Sequence, residues 1–401
     1  MRAPSEAGDP VGRVDRGSGG RCGDRGPLGL YLHIPFCEAI CNYCNFNRGL
    51  LELGLKRRYL DALHREIERA GVAATGVRAD SLFFGGGTPS VLEPIEVGAL
   101  IARCRSDASL APGAEVTLEV NPETVNAARL AGYREAGVTR LSMGVQSFRD
   151  AELRRLNRKH TATRAIDAFA VARAAGFDDI SLDLMMWLPE QTVAQWCESV
   201  DTLVALGPEH VSFYLLELYP NAPLQDEMAR GGWAQGPQEC AADMYHAGVD
   251  RLEAADYRQY EISNAARHGH RSRHNLKYWS DGAWVGFGCG AHSTHAGERW
   301  QNVSGVGDYI DVVMAGRTPI GSRRALSTEE RLTDTMFLGL RLSEGIDVTA
   351  VEARYDVDVW SRWGAELVPF VEGGWLEREP GRLRLTRAGM LLASEVMQVF
   401  V

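Results

Sequence analysis

Three cysteines, Cys37, Cys41 and Cys44, stand in C-x3-C-x2-C order inside the stretch HIPFCEAICNYCNFN, residues 33–47. Three thiolates this close can hold three corners of a cubane iron–sulfur cluster. No fourth cysteine follows, because Phe46 stands two residues after Cys44. A [4Fe-4S] cube held this way keeps one iron open, and an open iron can bind and activate a small molecule. The same residues admit a blander reading, in which Cys41 and Cys44 are one C-x2-C half of a zinc site and Cys37 is incidental. A structural disulfide fits less well, since the chain shows no secretory signal and cytosolic thiols stay reduced.

Further polar residues recur after short apolar runs. Gly85-Gly86-Gly87-Thr88-Pro89 follows SLFFGG, and three glycines let a ligand approach the backbone closely, although a tight turn needs no more. Glu119 is the penultimate residue of EVTLEV, where a carboxylate can accept two ribose hydroxyls or serve as a helix N-terminal acid. Gln146 ends GVQ, and its amide both donates and accepts. Arg158 follows, with a guanidinium fork that matches a carboxylate. Asp183 lies in DISLDLMM, and HNLKYW brings His274, Tyr278 and Trp279 together. Imidazole is an ordinary axial ligand of haem iron and aromatic rings pack on a macrocycle, but a histidine beside aromatics is as often a hydrogen-bonded structural residue. Cys289 and His292, in WVGFGCGAHS, are second-rank candidates of the same kind, and a buried structural thiol is the simpler reading of Cys289.

The cysteine loop, with Tyr43 before its last thiol, resembles the C-x3-C-x-aromatic-C signature of the radical S-adenosylmethionine (SAM) enzymes. YLHIPFC and CNF resemble the coproporphyrinogen dehydrogenase-like branch, which includes the HemW-type haem chaperones, and the resemblance spans nearly all of the chain after about residue 27. It implies cluster ligation by Cys37, Cys41 and Cys44. It implies SAM contacts at Tyr31, Gly86, Gly87, Thr88, Glu119, Gln146, Arg158 and Asp183, and haem contacts at His274, Tyr278 and Trp279. One departure is plain: the family's D-L-I-Y-G-L-P-G-Q-T reads here as DLMMWLPEQT, with Met186, Trp187 and Glu190 as the differences. These differences fall near the expected pocket, so adenine packing or substrate access is expected to differ while SAM binding is kept.

The elements that must position these groups alternate between short apolar runs and longer helical patterns. Six strand-then-helix units run from GLYLHI to the helix around Gln238–Ala255, which implies parallel strands joined by right-handed crossovers. An open doubly wound sheet and a partial barrel both satisfy that pattern, and both put ligand groups at the C-terminal strand ends. The resemblance selects the partial (β/α)6 barrel. We read a disordered tail at 1–27, the barrel at 28–270, a linker carrying the haem motif at 271–317, and an α+β winged-helix-like domain at 318–401. In the last, GGWLEREPGRLRLTRAGMLLASEV predicts strand, Pro-Gly turn, strand and helix.

Composition narrows the function classes. A net charge of -10 argues against nucleic acid as a main partner, and no apolar run reaches membrane-spanning length. Of the eight cysteines, Cys22, Cys104, Cys197, Cys240 and Cys289 are scattered and read as small core residues. The expectation is a cytoplasmic haem chaperone that binds a [4Fe-4S] cluster, SAM and haem. Its expected partners are haem-acceptor proteins and an electron donor of the flavodoxin or ferredoxin type, with a homodimer left open. Two competitors stand beside it: an oxygen-independent coproporphyrinogen III dehydrogenase, and a zinc-stabilised scaffold. Phe46, where the dehydrogenases commonly carry cysteine, and HNLKYW favour the chaperone over the first.

Overall fold

A computed structural model describes residues 26–72, 76–220 and 222–401. Apart from Gly26 and Pro27, the expected disordered tail lies outside the described residues, and so does Cys22.

The β-then-α alternation is realised in full. Strand β1 (Leu28–Ile34) leads to helix α1 (Leu53–Arg69), and β2 (Ala79–Gly86) to α2 (Pro94–Asp107). Strand β3 (Leu110–Val120) leads to α3 (Ala127–Ala136), and β4 (Arg140–Gln146) to α4 (Ala162–Ala174). Strand β5 (Ile180–Met186) leads to α5 (Val193–Leu206), and β6 (His210–Leu215) to α6 (Gln238–Ala254). The six strands pair parallel in chain order. The strands alternate: Leu28, Leu30, Leu32 and Ile34 of β1 and Leu141, Met143 and Val145 of β4 enter the apolar core, while Tyr31, Ser142, Gly144 and Gln146 between them line the cavity at the strand ends. In β4 all seven residues are buried. Local chemistry sets the boundaries: a capping box of Thr192 and Gln195 opens α5, and Gly207 at φ +69° closes it.

The sheet continues past both edges of this parallel run. On one side lie β7 (Arg258–Glu261) and β8 (Asn264–Ala266), with β8 antiparallel to β6. The chain then forms helix α7 (Arg273–Trp279), strands β9 (Trp284–Phe287), β10 (His292–His295) and β11 (Glu298–Asn302), helix α8 (Val306–Met314) and strand β12 (Ile320–Ala325). Strand β9 pairs parallel with β1, and β10 to β12 extend it antiparallel, giving a twelve-stranded sheet.

This corrects the expected linker at 271–317, which is helix and sheet, and the boundary at 318, since β12 belongs to the main sheet. The reason is length and glycine content. Strands of four or five residues interrupted by Gly288, Gly290 and Gly297 carry too little periodicity to read as strands. Ala296 and Gly297, both at positive φ, make the tight turn that pairs β10 with β11.

The C-terminal unit consists of helices beside a three-stranded wing. Helices α9 (Thr328–Gly339), α10 (Val348–Tyr355) and α11 (Val359–Glu372) precede the hairpin Leu376–Glu379/Arg382–Leu385, whose turn uses Gly381 at φ +75°. Ile346–Asp347 is its third strand. Among the described residues no helix is long and apolar enough to cross a membrane.

Candidate functional site

The C-terminal ends of β1 to β6 open into one cavity of about 610 Å³. All three cysteines of the C-x3-C-x2-C loop line it, as do Tyr31, Gly86, Gly87, Thr88, Glu119, Gln146, Arg158 and Asp183, each of the residues expected to contact SAM. His274 and Tyr278 also line it, but Trp279 does not.

The cysteine loop is fastened at both ends. Phe36–Cys37 and Gly49–Leu50 form a two-stranded parallel ribbon at its base. Gly87 N–H donates to Ile34 C=O at 2.8 Å and Thr88 N–H to Phe36 C=O at 2.8 Å, so the GGGTP turn carries the first cysteine. A side chain at Gly87 would lie 2.8 Å from Phe36 C=O and 3.0 Å from Cys37 Sγ, which is why glycine stands there. The far end is set by Asn47, whose C=O accepts from His33 Nε2 at 2.8 Å, while His33 Nδ1 pairs with Tyr31 Oη at 3.1 Å. The middle is tied across the barrel: Asn42 donates to Arg155 C=O at 2.8 Å, and Asn157 to Ile40 C=O at 3.3 Å.

Burial raises the Cys37 and Cys44 thiols above their ordinary range, and the neighbouring thiols of the loop add to the rise. Loading a metal must therefore displace protons. Among the described residues no set of three or more His, Cys, Asp or Glu side chains closes on one ion. A single tetrahedral zinc thus finds no complete ligand set, whereas a cube spreads its corners over separate thiolates, and the donor set fits it.

Arg158 is held for one task. Its Nη2 donates to Asn121 Oδ1 at 2.8 Å and Gly144 C=O at 2.7 Å, and its Nη1 to Cys41 Sγ at 3.5 Å. Although burial opposes its charge, Tyr43, Cys41 and Glu123 hold it firmly cationic. Across the cavity, burial and the charge of Asp183 raise the Glu119 carboxyl to about 8, with Gly86 N–H offsetting part. Burial likewise raises Asp183 to about 6, against hydrogen bonds from Ser212, Ser142 and Ser181. Two mutually repelling acids opposite a fixed guanidinium suit a zwitterionic ligand rich in hydroxyl and amine donors, as SAM is. Gln146 sits at φ +69° with its Oε1 accepting from Tyr214 at 2.8 Å.

The histidine of HNLKYW is committed to the fold. His274 is 1% exposed, with Nδ1 paired to Ser81 Oγ at 3.1 Å and Nε2 to Tyr278 Oη at 2.9 Å. Burial, reinforced by Lys277, lowers its ring to about 3, so it is neutral. To ligate iron it would have to release one of these partners. Trp279 instead lies under the Arg341 guanidinium, 4.3 Å from its centroid. Cys289 is fully buried, its thiol raised to about 11, chiefly by burial.

The DLMMWLPEQT departure spares most of the cavity. Met185 lines it, but Met186 is packed in the core, and Trp187 Nε1 donates to Gly236 C=O at 2.8 Å. Trp187 and Glu190 take φ values of +61° and +60°, a left-handed backbone that favours glycine, the residue the resembled pattern carries at both positions. Sequence reasoning missed Tyr214, Asn121 and Ser142. Each lies in or directly after a strand already identified, but a single Tyr, Asn or Ser carries no spacing signal.

Residues 31–203 match the model of the Radical SAM superfamily, and residues 326–392 that of the HemN C-terminal domain. The chain is 37% identical over 378 residues to the "Heme chaperone HemW" of Bacillus subtilis, covering 92% of this chain and 98% of that protein. It is 35% identical to the protein of the same name from Mycobacterium tuberculosis strain H37Rv, over 94% of this chain and 95% of the other. It is 36% identical to the mitochondrial "Radical S-adenosyl methionine domain-containing protein 1" of Bos taurus, covering 92% of this chain and 86% of the other. Among solved structures, the radical SAM enzyme coproporphyrinogen III oxidase (HemN) of Escherichia coli superposes with a TM-score of 0.83 at 24% identity, over 94% of this chain and 90% of that one.

Proposed function

The chain belongs to the radical SAM superfamily and, within it, to the family of the heme chaperone HemW, and on that premise we propose that it is a haem chaperone that binds haem as cargo and delivers it to acceptor proteins. The observation that carries the cofactor half of this reading is the single cavity in which three thiols and eight expected SAM contacts meet.

In this reading Cys37, Cys41 and Cys44 hold the [4Fe-4S] cluster, and Arg158 receives the SAM carboxylate. Glu119 takes the ribose hydroxyls, with Gln146 and Asp183 completing the nucleoside contacts and Tyr31, Gly86, Gly87 and Thr88 shaping the wall. When bound, the cluster supplies an electron to the SAM sulfonium. The chain's own residues orient and enclose: the GGGTP turn fixes Cys37, Asn121 and Gly144 fix Arg158, and the buried floor excludes water. The reading carries with it a cytoplasmic location, a flavodoxin- or ferredoxin-type electron donor, haem-accepting partners and a homodimer as the simplest assembly.

The alternative is coproporphyrinogen III dehydrogenation, and the likeness to HemN speaks to the fold alone. Phe46, 66% exposed beside the cluster loop, stands where the dehydrogenases commonly carry a cysteine. The deciding experiment gives the reconstituted protein SAM, a reductant and coproporphyrinogen III, and separately haem. Under the chaperone reading the first assay shows no decarboxylation and the second a shifted Soret band. Turnover in the first, with no haem uptake in the second, would install the dehydrogenase instead.

A further inference from the structure

Two guanidiniums reach the cysteine loop, and they are held differently. Arg158 comes from across the barrel to Cys41 Sγ and also lies 3.9 Å from the Glu123 carboxylate. In the cofactor reading it is given over to the SAM carboxylate. Arg48 comes from the loop itself, directly after Asn47. Its Nη2 donates to Cys44 C=O and its Nη1 to Phe46 C=O, the latter at 3.3 Å, so the fork folds back over the last cysteine. Its Nε is buried and has no hydrogen-bond partner. Among the described residues Arg48 meets no carboxylate, since both of its bonds go to backbone carbonyls. The side chain is half-buried and lines the same cavity as the three thiols.

An unneutralised cation is thus fastened against the cluster loop. Burial raises the Cys37 and Cys44 thiols, and the Arg48 charge draws both of them back down. The other donors to these two sulfurs are neutral: Thr88 Oγ1 donates to Cys37 Sγ at 3.4 Å, and Phe46 N–H to the Cys44 thiol. A cube held by three thiolates is an anion, and an added electron makes it more so. Net charge and hydrogen bonds to the sulfurs set how readily such a cluster takes that electron. A half-buried cation at the sulfurs favours the reduced form, and it acts through a lower dielectric than a charge in water.

We propose that Arg48 tunes the cluster: its guanidinium is held beside Cys37 and Cys44 to stabilise the reduced cube and raise its reduction potential, while Arg158 serves the SAM carboxylate. The proposal rests on the cluster half of the reading above. Arg48 acts through the cluster, so it is a positioning residue for charge and not a catalytic one.

The test is an anaerobic redox titration of the reconstituted full-length protein, with dithionite as the one-electron reductant and the reduced cluster read by electron paramagnetic resonance. Iron and sulfide content are measured on every variant. Arg48→Gln is expected to load its cluster and to be reduced about tenfold less favourably, a midpoint about 59 mV more negative. Arg48→Lys keeps the charge without the fork and is expected to stay near the wild-type midpoint. Arg57→Gln, the same charge loss on the exposed face of α1, is expected to leave the midpoint where it was. An unshifted midpoint in loaded Arg48→Gln overturns the proposal, and so does an equal shift in Arg57→Gln. Should Arg48→Gln hold no iron, Arg48→Lys decides: loading with a wild-type midpoint upholds the role of the charge, whereas failure to load, or a lowered midpoint, makes Arg48 a fastener of the loop only. A wild-type chain that takes up no cluster would instead remove the cofactor reading itself.

Discussion

Glu119 carries its proton more readily than a carboxyl in water because the cavity buries it and Asp183 faces it. A ribose that donates two hydrogen bonds favours the ionised form, so SAM binding should release that proton. With the Glu119 carboxyl at about 8, SAM affinity is expected to rise as pH goes from 6 to 8, approaching tenfold per unit below the midpoint. Calorimetry in two buffers of different ionisation enthalpy measures the proton count directly. Glu119→Gln should flatten both the pH dependence and the buffer dependence, and a wild-type profile that is already flat would remove Glu119 from this role. The same displacement bears on stability, with the reverse of the usual sign for acids. Glu66 at about 7, Glu119 at about 8 and Asp183 at about 6 all bind protons more tightly folded than unfolded. Their contribution is therefore present at low pH and is lost as pH rises through those values. The melting temperature of the ligand-free protein is expected to fall between pH 6 and 8.5, and saturating SAM should shrink that fall.

At the level of elements, the GGGTP turn following β2 connects sheet to cluster loop. A methyl group at Gly87 meets the Phe36 carbonyl and the Cys37 thiol, and neither can move without dragging the ribbon under the loop. Gly87→Ala is expected to fold, to retain less than half of the wild-type iron and sulfide after anaerobic reconstitution, and to lose the brown absorbance in proportion. Full iron content in that variant would show that the turn does not set the loop. This coupling was only half legible in the sequence. The six parallel strands announced themselves because each is a short apolar-rich run followed by a helical pattern, and the polar residues at and after their ends gave the cavity. The spacing of Cys37, Cys41 and Cys44 gave the loop its chemistry. What stayed hidden depends on contacts between distant segments. His274 is held by Ser81, 193 residues away, so no local pattern could show that its nitrogens are occupied. The short β9–β12 strands were obscured by the glycines that interrupt them.

For the molecule as a whole, the chain must keep its C-terminal unit seated beside the motif that carries His274. The seat is built around Glu261, which is fully buried at the end of β7 and bridges to Leu342. Arg341 Nη2 meets its carboxylate at 2.9 Å, and the same guanidinium covers the Trp279 ring. Two backbone bonds flank the contact, Ile262 N–H to Arg341 C=O at 3.2 Å and Ser343 N–H to Tyr260 C=O at 3.0 Å. Removing the guanidinium strands a buried charge that still accepts from Ser263 N–H and Asn264, so the cost should sit near the low end of the range for a broken buried pair, about 3 kcal/mol. Arg341→Ala is expected to lower the melting temperature by a few degrees in a chain of this size. It should also expose the C-terminal unit to limited proteolysis ahead of the main sheet. Arg341→Lys restores the charge without the flat stacking surface, so it should recover most of the thermal loss and less of the order at Trp279, read from that ring's fluorescence. If Arg341→Ala melts and digests as the wild type does, the C-terminal unit is held by its other contacts with the main sheet, among them Arg299–Asp334, Arg354–Asp281 and Arg387–Asp250, and Glu261 is not its seat.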